Sequence, residues 1–202
     1  MIRINPGELK DKITIQEYEN IEGIYKFSNC RKITGKLKAK YKRKNYSKFG
    51  IGTDETTEIT IRYIKDLDKS KAIIFNGSHY LISEIDDIEN RHRYIQLVAI
   101  KQKLWLCEAI RRVPGRDEKN RPKQVPKSIY RFQGYLLEKY SGYNDEKVSY
   151  STTKRLILMT PKVIELESGD IVEIDSIRYK VELTHLLDDY FNEYEIVVTK
   201  DV

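Results

Sequence analysis

The side chains that most often carry chemistry are few and scattered. The three histidines, His79, His92 and His185, lie in separate segments, and none has a Cys, His or carboxylate at the spacing of a helix or loop metal site. They read as solvated or edge-strand histidines. Cys30 and Cys107 lack a C-x-x-C partner and a recognisable nucleophile context, so each reads as a small buried hydrophobe. The carboxylate pairs Asp86-Asp87 and Asp188-Asp189 could suggest acid/base work or a cation. Adjacent residues of a strand point to opposite faces, however, and solvated loop acids are the simpler reading. Walker, G-x-G-x-x-G and G-x-S-x-G motifs are absent. No catalytic residue, metal ligand or cofactor is therefore expected, and an enzyme is not the reading.

One segment has functional character. Between Glu22 and Asp54 the chain holds ten Lys or Arg and no acid, and Lys36, Lys38, Lys40, Lys42, Arg43, Lys44 and Lys48 are interleaved there with Tyr41, Tyr46 and Phe49. Lys36, Lys38, Lys40 and Lys42 alternate, which on a strand gathers them on one face. Past Tyr41 the alternation fails, and a polar loop is expected to run to Gly50-Ile51-Gly52, where glycine lets the backbone bend. Contact with the phosphates of a polyanion is one use of such a segment. A solvated sheet face whose lysines discourage edge aggregation is the other, and composition leaves both open.

The elements that must position this segment read as strands. The 202 residues are 40% apolar and 34% charged, with fifteen Tyr, and β-branched and aromatic side chains suit a pleated, half-buried surface. Period-two runs recur in KITIQEY, at Ile33–Tyr41, in EITIRY and from His92 to Ile100, and KAIIF-NG-SHYLISEI reads as a hairpin turning on Asn76-Gly77. Residues 104–112 suit a short helix or an apolar strand end. Next, Pro114, Pro122 and Pro126 fall among many charges, which favours an extended basic connector over residues 108–128. The strand rhythm resumes at Ile129. A slide of the sequence by 99 residues without gaps sets Gly35 on Gly134, Leu37 on Leu136, Phe75 on Ile174, Tyr80 on Tyr179, Ile82 on Val181 and Leu97 on Ile196. The expected architecture is mainly β: two small β-barrel or sandwich modules, 1–107 and 129–202, related by internal duplication and joined by a Pro-rich basic linker.

Charge is divided unevenly between them. Residues 1–107 carry 21 basic and 14 acidic side chains, whereas residues 132–202 carry 8 against 14, as suits a face kept clear of polyanions or docked on a basic partner. Glu165, Glu167 and Asp170 are candidates for such docking. No apolar run approaches the roughly 20 residues of a membrane span and the first ten residues lack a signal-peptide core, so a soluble, membrane-free chain is expected.

The first half resembles the tailed-phage head-tail joining proteins, the head-closure or stopper family. The resemblance rests on Asn5-Pro6-Gly7-Glu8-Leu9, then Lys12-Ile13-Thr14-Ile15-Gln16, the strand Ile59-Thr60-Ile61-Arg62-Tyr63, the hairpin from Ile73 to Ile82 and the strand Tyr94 to Ala99. It implies a non-enzymatic virion or prophage protein of small β-barrels, assembled as a homo-oligomeric ring, twelve-fold in the family. Such a ring sits at the head-tail junction beneath portal and adaptor proteins, retains packaged double-stranded DNA, and receives the tail proteins. Assembly would take place in the host cytoplasm. In the family a loop between two strands reaches into the channel. Here it corresponds to residues 42–57, which makes Lys42, Arg43, Lys44 and Lys48 the DNA-facing residues and Gly50 and Gly52 the hinge. Two other readings remain open: a free nucleic-acid-binding protein in which Tyr41, Tyr46 and Phe49 stack on bases, and a tail-completion or terminator protein.

Overall fold

A computed structural model describes residues 4–38, 41–47, 50–138, 155–186 and 189–199. Among the described residues thirteen strands account for nearly all of the regular structure, beside two single-turn 3-10 segments, Pro6–Glu8 and Ile88–Asn90. The chain divides into two compact units. The first comprises residues 1–19 and 27–103, the second residues 20–26 and 104–202.

The first unit holds β1 (Asp11–Ile21) up to residue 19, β2 (Ile24–Leu37) from residue 27, β3 (Tyr41–Ser47), β4 (Gly50–Arg62), β5 (Ala72–Phe75), β6 (Ser78–Asp87) and β7 (Tyr94–Lys101). Pairing runs β2-β1-β5-β6-β7-β4, and β4 pairs again with β2 through Gly35↔Ile61 and Leu37↔Ile59, so the circuit of six strands closes on itself. Alternation selects the inside. Ile13 and Ile15, Ile59 and Ile61, Tyr80 and Ile82, and Ile95, Leu97 and Ala99 all point into one buried cluster, as period-two strands with one wet face require. Asn76 and Gly77 take φ of +47° and +71°, the left-handed pair that a two-residue hairpin turn demands. Gly35 is where β2 crosses closest to its neighbours: a Cβ there would lie 2.5 Å from Ile13 Cδ1 and 3.0 Å from both Ile61 Cγ2 and the Thr60 carbonyl oxygen.

The second unit contains β8 (Leu104–Arg116), β9 (Pro122–Glu138), β10 (Arg155–Pro161), β11 (Ile171–Ile174), β12 (Ile177–Leu186) and β13 (Phe191–Val198). Its pairing, β9-β10-β13-β12-β11-β8 and back to β9, visits the strands in the order of the first circuit, with β8 in the place of β1. Register agrees as well. At an offset of 99, Leu37↔Ile59 becomes Leu136↔Leu158, Ile73↔Tyr80 becomes Val172↔Tyr179, and the bulge between Ile82 and Glu84 becomes one between Val181 and Leu183. The last strand departs from the gapless slide. Ile82 faces Ala99 while Val181 faces Ile196, so Leu97 corresponds to Tyr194 rather than to Ile196. The connection before β13 is two residues shorter than its counterpart. A shift by an even number keeps every side chain on its face, and both Leu97 and Tyr194 are buried.

Of the two readings open for residues 104–112 the strand holds, because Cys107 and Ala109 fill alternate inward positions and β8 is paired on both sides. The expected linker of residues 108–128 is the outer part of the β8–β9 hairpin, laddered from Ile110↔Ser128 to Arg116↔Pro122. Its prolines fit because Arg112↔Pro126, Pro114↔Gln124 and Arg116↔Pro122 are alternate rungs of one parity. In an antiparallel ladder every second pair points its N–H groups away from the partner strand, and there a missing N–H costs no rung.

Candidate nucleic-acid interface

The basic segment begins on β2 directly after Gly35, inside the first unit. Its first lysines are occupied. Lys36 Nζ pairs with Glu8 and Lys38 Nζ lies 3.2 Å from Glu58 Oε2, while the Leu37 amide donates to Asp11 Oδ2 at 2.9 Å. Half-exposed pairs of this kind add about 0–1 kcal/mol each, but they lower the positive charge that β2 offers to a ligand.

Beyond Lys38 the expected loop is a β-hairpin. Strands β3 and β4 pair from Tyr41↔Thr56 to Ser47↔Gly50, which satisfies backbone groups that a loop would leave to water. In the ladder Lys42 is paired with Glu55, Arg43 with Asp54 and Lys44 with Thr53. Gly50 and Gly52, expected as a hinge, are ladder positions opposite Ser47 and Asn45. Lys48 lies outside the described residues. β4 meets β7 only from Thr56↔Ile100 onward and β2 at residues 59–61. Among the described residues, therefore, the part of the hairpin before Thr56 is a two-stranded ribbon running on from the closed circuit.

The remaining candidates have structural roles. His79 is half-buried beside Phe27, with ring centroids 5.0 Å apart, and desolvation lowers its pKa to about 4. His92 is exposed, with Nδ1 2.6 Å from Asp87 Oδ2 and its backbone N–H donating to the same carboxylate, so Asp87 closes a turn. His185 lies on β12, whereas Asp188 is outside the described residues. Cys107 is buried, and desolvation pushes its thiol up to about 12. Cys30 is exposed, contrary to the sequence reading: it accepts from Gln16 Nε2 at 3.4 Å on the outer side of β2. Among the described residues no group of His, Cys, Asp and Glu could hold a metal ion, and no helix is long and apolar enough to cross a membrane.

Asp170 is not a docking charge. Its side chain is 3% exposed and takes a two-pronged bond from Arg111, Nε to Oδ1 at 2.9 Å and NH2 to Oδ2 at 2.8 Å, while the Glu167 amide also donates to Oδ2. This bond, ahead of the nearby acidic charges, raises the Arg111 pKa. Glu167 lies on the same guanidinium at 2.7 Å. Sequence reading missed the pairing because its partners are 59 positions apart. It also missed the basic β8–β9 ribbon, whose clue was the single parity of its prolines.

Residues 4–102 match the family described as phage head completion protein. Among curated proteins none matches the chain. Of solved structures, the K. pneumonia MrkH–c-di-GMP complex aligns over 96% of this chain and 81% of that one, at 12% identity. Its TM-score of 0.15 is too low to carry an argument about fold.

Proposed function

We propose, from the match of residues 4–102 to the phage head completion protein family, that the chain is a non-enzymatic structural protein of a tailed-phage particle, completing the head and receiving the tail. Copies assemble as a ring at the head-tail junction, in contact with portal and adaptor proteins on one side and tail proteins on the other. The β3–β4 ribbon, carrying Lys42, Arg43 and Lys44, closes the channel around packaged double-stranded DNA, with Lys48 of the same basic sequence run as a further DNA-facing residue. The second unit is a repeat of the first.

The family match carries this reading. The closed circuit supports it, because strands without free edges leave ring contacts to side chains and ribbons rather than to uncontrolled edge pairing. In the sequence Asp54 and Glu55 end the basic run, which tempers the net attraction of one copy, and useful phosphate contact then needs many copies around one duplex. Electron micrographs of the purified protein with portal complexes test it: rings capping the portal are expected, and a chain that stays monomeric both alone and with the portal overturns it.

A further inference from the structure

The β8–β9 ribbon has a charge pattern that the role of the first unit does not use. From Arg111 to Lys127 the sequence holds seven cations, Arg111, Arg112, Arg116, Lys119, Arg121, Lys123 and Lys127, against Asp117 and Glu118. Arg111 is committed at the base, where its fork on Asp170 ties the ribbon to the segment before β11. At the far end Asp117 Oδ1 accepts the Lys119 and Arg121 amides, each at 2.9 Å, Oδ2 takes Arg121 Nε at 2.8 Å, and Arg116 bonds Asn120. The ribbon is thus fixed at both ends. Residues 121–128 are all exposed, as are Arg112 and Arg116.

Register distributes the cations. Paired residues share a face, so Arg112 and Arg116 lie on one side with Pro114, Pro122 and Pro126, and Lys123 and Lys127 lie on the other with Val113 and Val125. A ribbon of two strands with cations on both faces matches a groove with phosphates along both walls, and the major groove of duplex DNA admits an element of this width. Two rivals fit less well. The prolines remove outward N–H groups that an added protein strand would need, and residues 111–127 contain no aromatic side chain on which single-stranded bases could stack.

We propose that the β8–β9 ribbon is a sequence-independent binding element for duplex DNA, with Arg112, Arg116, Lys123 and Lys127 contacting phosphates on either side of a groove. It belongs to the second unit and does not depend on the family role of the first. The test is fluorescence anisotropy of the full chain with a labelled 30-base-pair duplex (an arbitrary probe length of roughly three helical turns), titrated over a range of salt. The unaltered chain binds with a steep salt dependence. The variant Arg112→Gln/Lys123→Gln/Lys127→Gln weakens binding at least about tenfold at low salt and flattens the slope of log K against log salt by about 2–3, near 0.9 per lost phosphate contact. Lys123→Arg/Lys127→Arg keeps both affinity and slope, and equal melting temperatures show that the substitutions spare the fold. No binding to duplex at low salt, or binding that the triple substitution leaves unchanged, overturns the proposal. So does a triple variant that still binds duplex normally but no longer joins portal or tail complexes, which would assign the ribbon to an acidic protein surface.

Discussion

Asp170 keeps only 3% of its side chain in water and faces Arg111, which keeps 29%. Breaking a fully buried pair costs about 3–5 kcal/mol. Here the orphaned guanidinium can turn to solvent, so Asp170→Asn should cost about 2–3 kcal/mol in urea unfolding, part of it from the weakened bond to the Glu167 amide. Glu167→Gln, with a side chain 72% exposed, should cost less than about 1 kcal/mol. His79 gives the pH dependence. With its folded pKa near 4 against 6.5 unfolded, the unfolded chain binds the extra proton between those values, so folding stability falls as pH drops from about 6.5 to about 4 and the penalty is complete below that. Two and a half units set an upper limit of roughly 3 kcal/mol. A His79→Phe chain should lack this slope when unfolding is followed across the window. At this scale the sequence said little, since the partial burial of His79 and the exposure of Cys30 depend on which strands lie beside them.

Strands were legible wherever one face is wet, because alternation then names the inward residues. The Asn76-Gly77 hairpin could be read for a second reason: its turn needs positive φ at both positions. Two ribbons were not legible. Residues 110–128 have no buried face to impose alternation, and the glycines, prolines and charges of 41–55 and 110–128 resemble those of loops, although backbone pairing holds both as strands. Register between the units was readable to within the two residues missing before β13. Gly35 and Gly134, aligned at the 99 offset, differ in the room around them. A Cβ on Gly35 meets Ile13 Cδ1 at 2.5 Å, whereas one on Gly134 finds nothing nearer than 3.2 Å. Gly35→Ala should therefore cost about 1–3 kcal/mol, and Gly134→Ala less, in parallel thermal melts.

At the scale of the whole molecule, the boundary between units does not coincide with one point in the sequence. Residues 20–26 cluster with the second unit, where Ile24 and Tyr25 pair in parallel with Arg131 and Phe132 and the Tyr25 ring meets that of Tyr130 at 6.0 Å. Residues 104–202 expressed alone should melt below the full chain, with Arg131 and Phe132 amides losing protection in hydrogen exchange. Protection at those amides equal to that of the full chain would show that the segment adds nothing. Because the second unit borrows a strand end from the opening codons, genetic exchange cannot treat the halves as independent cassettes. A recombinant that inherits a foreign carboxy-terminal half keeps its resident Ile24-Tyr25 staple, and only donors whose Arg131–Phe132 counterpart accepts that staple should yield viable chimeras.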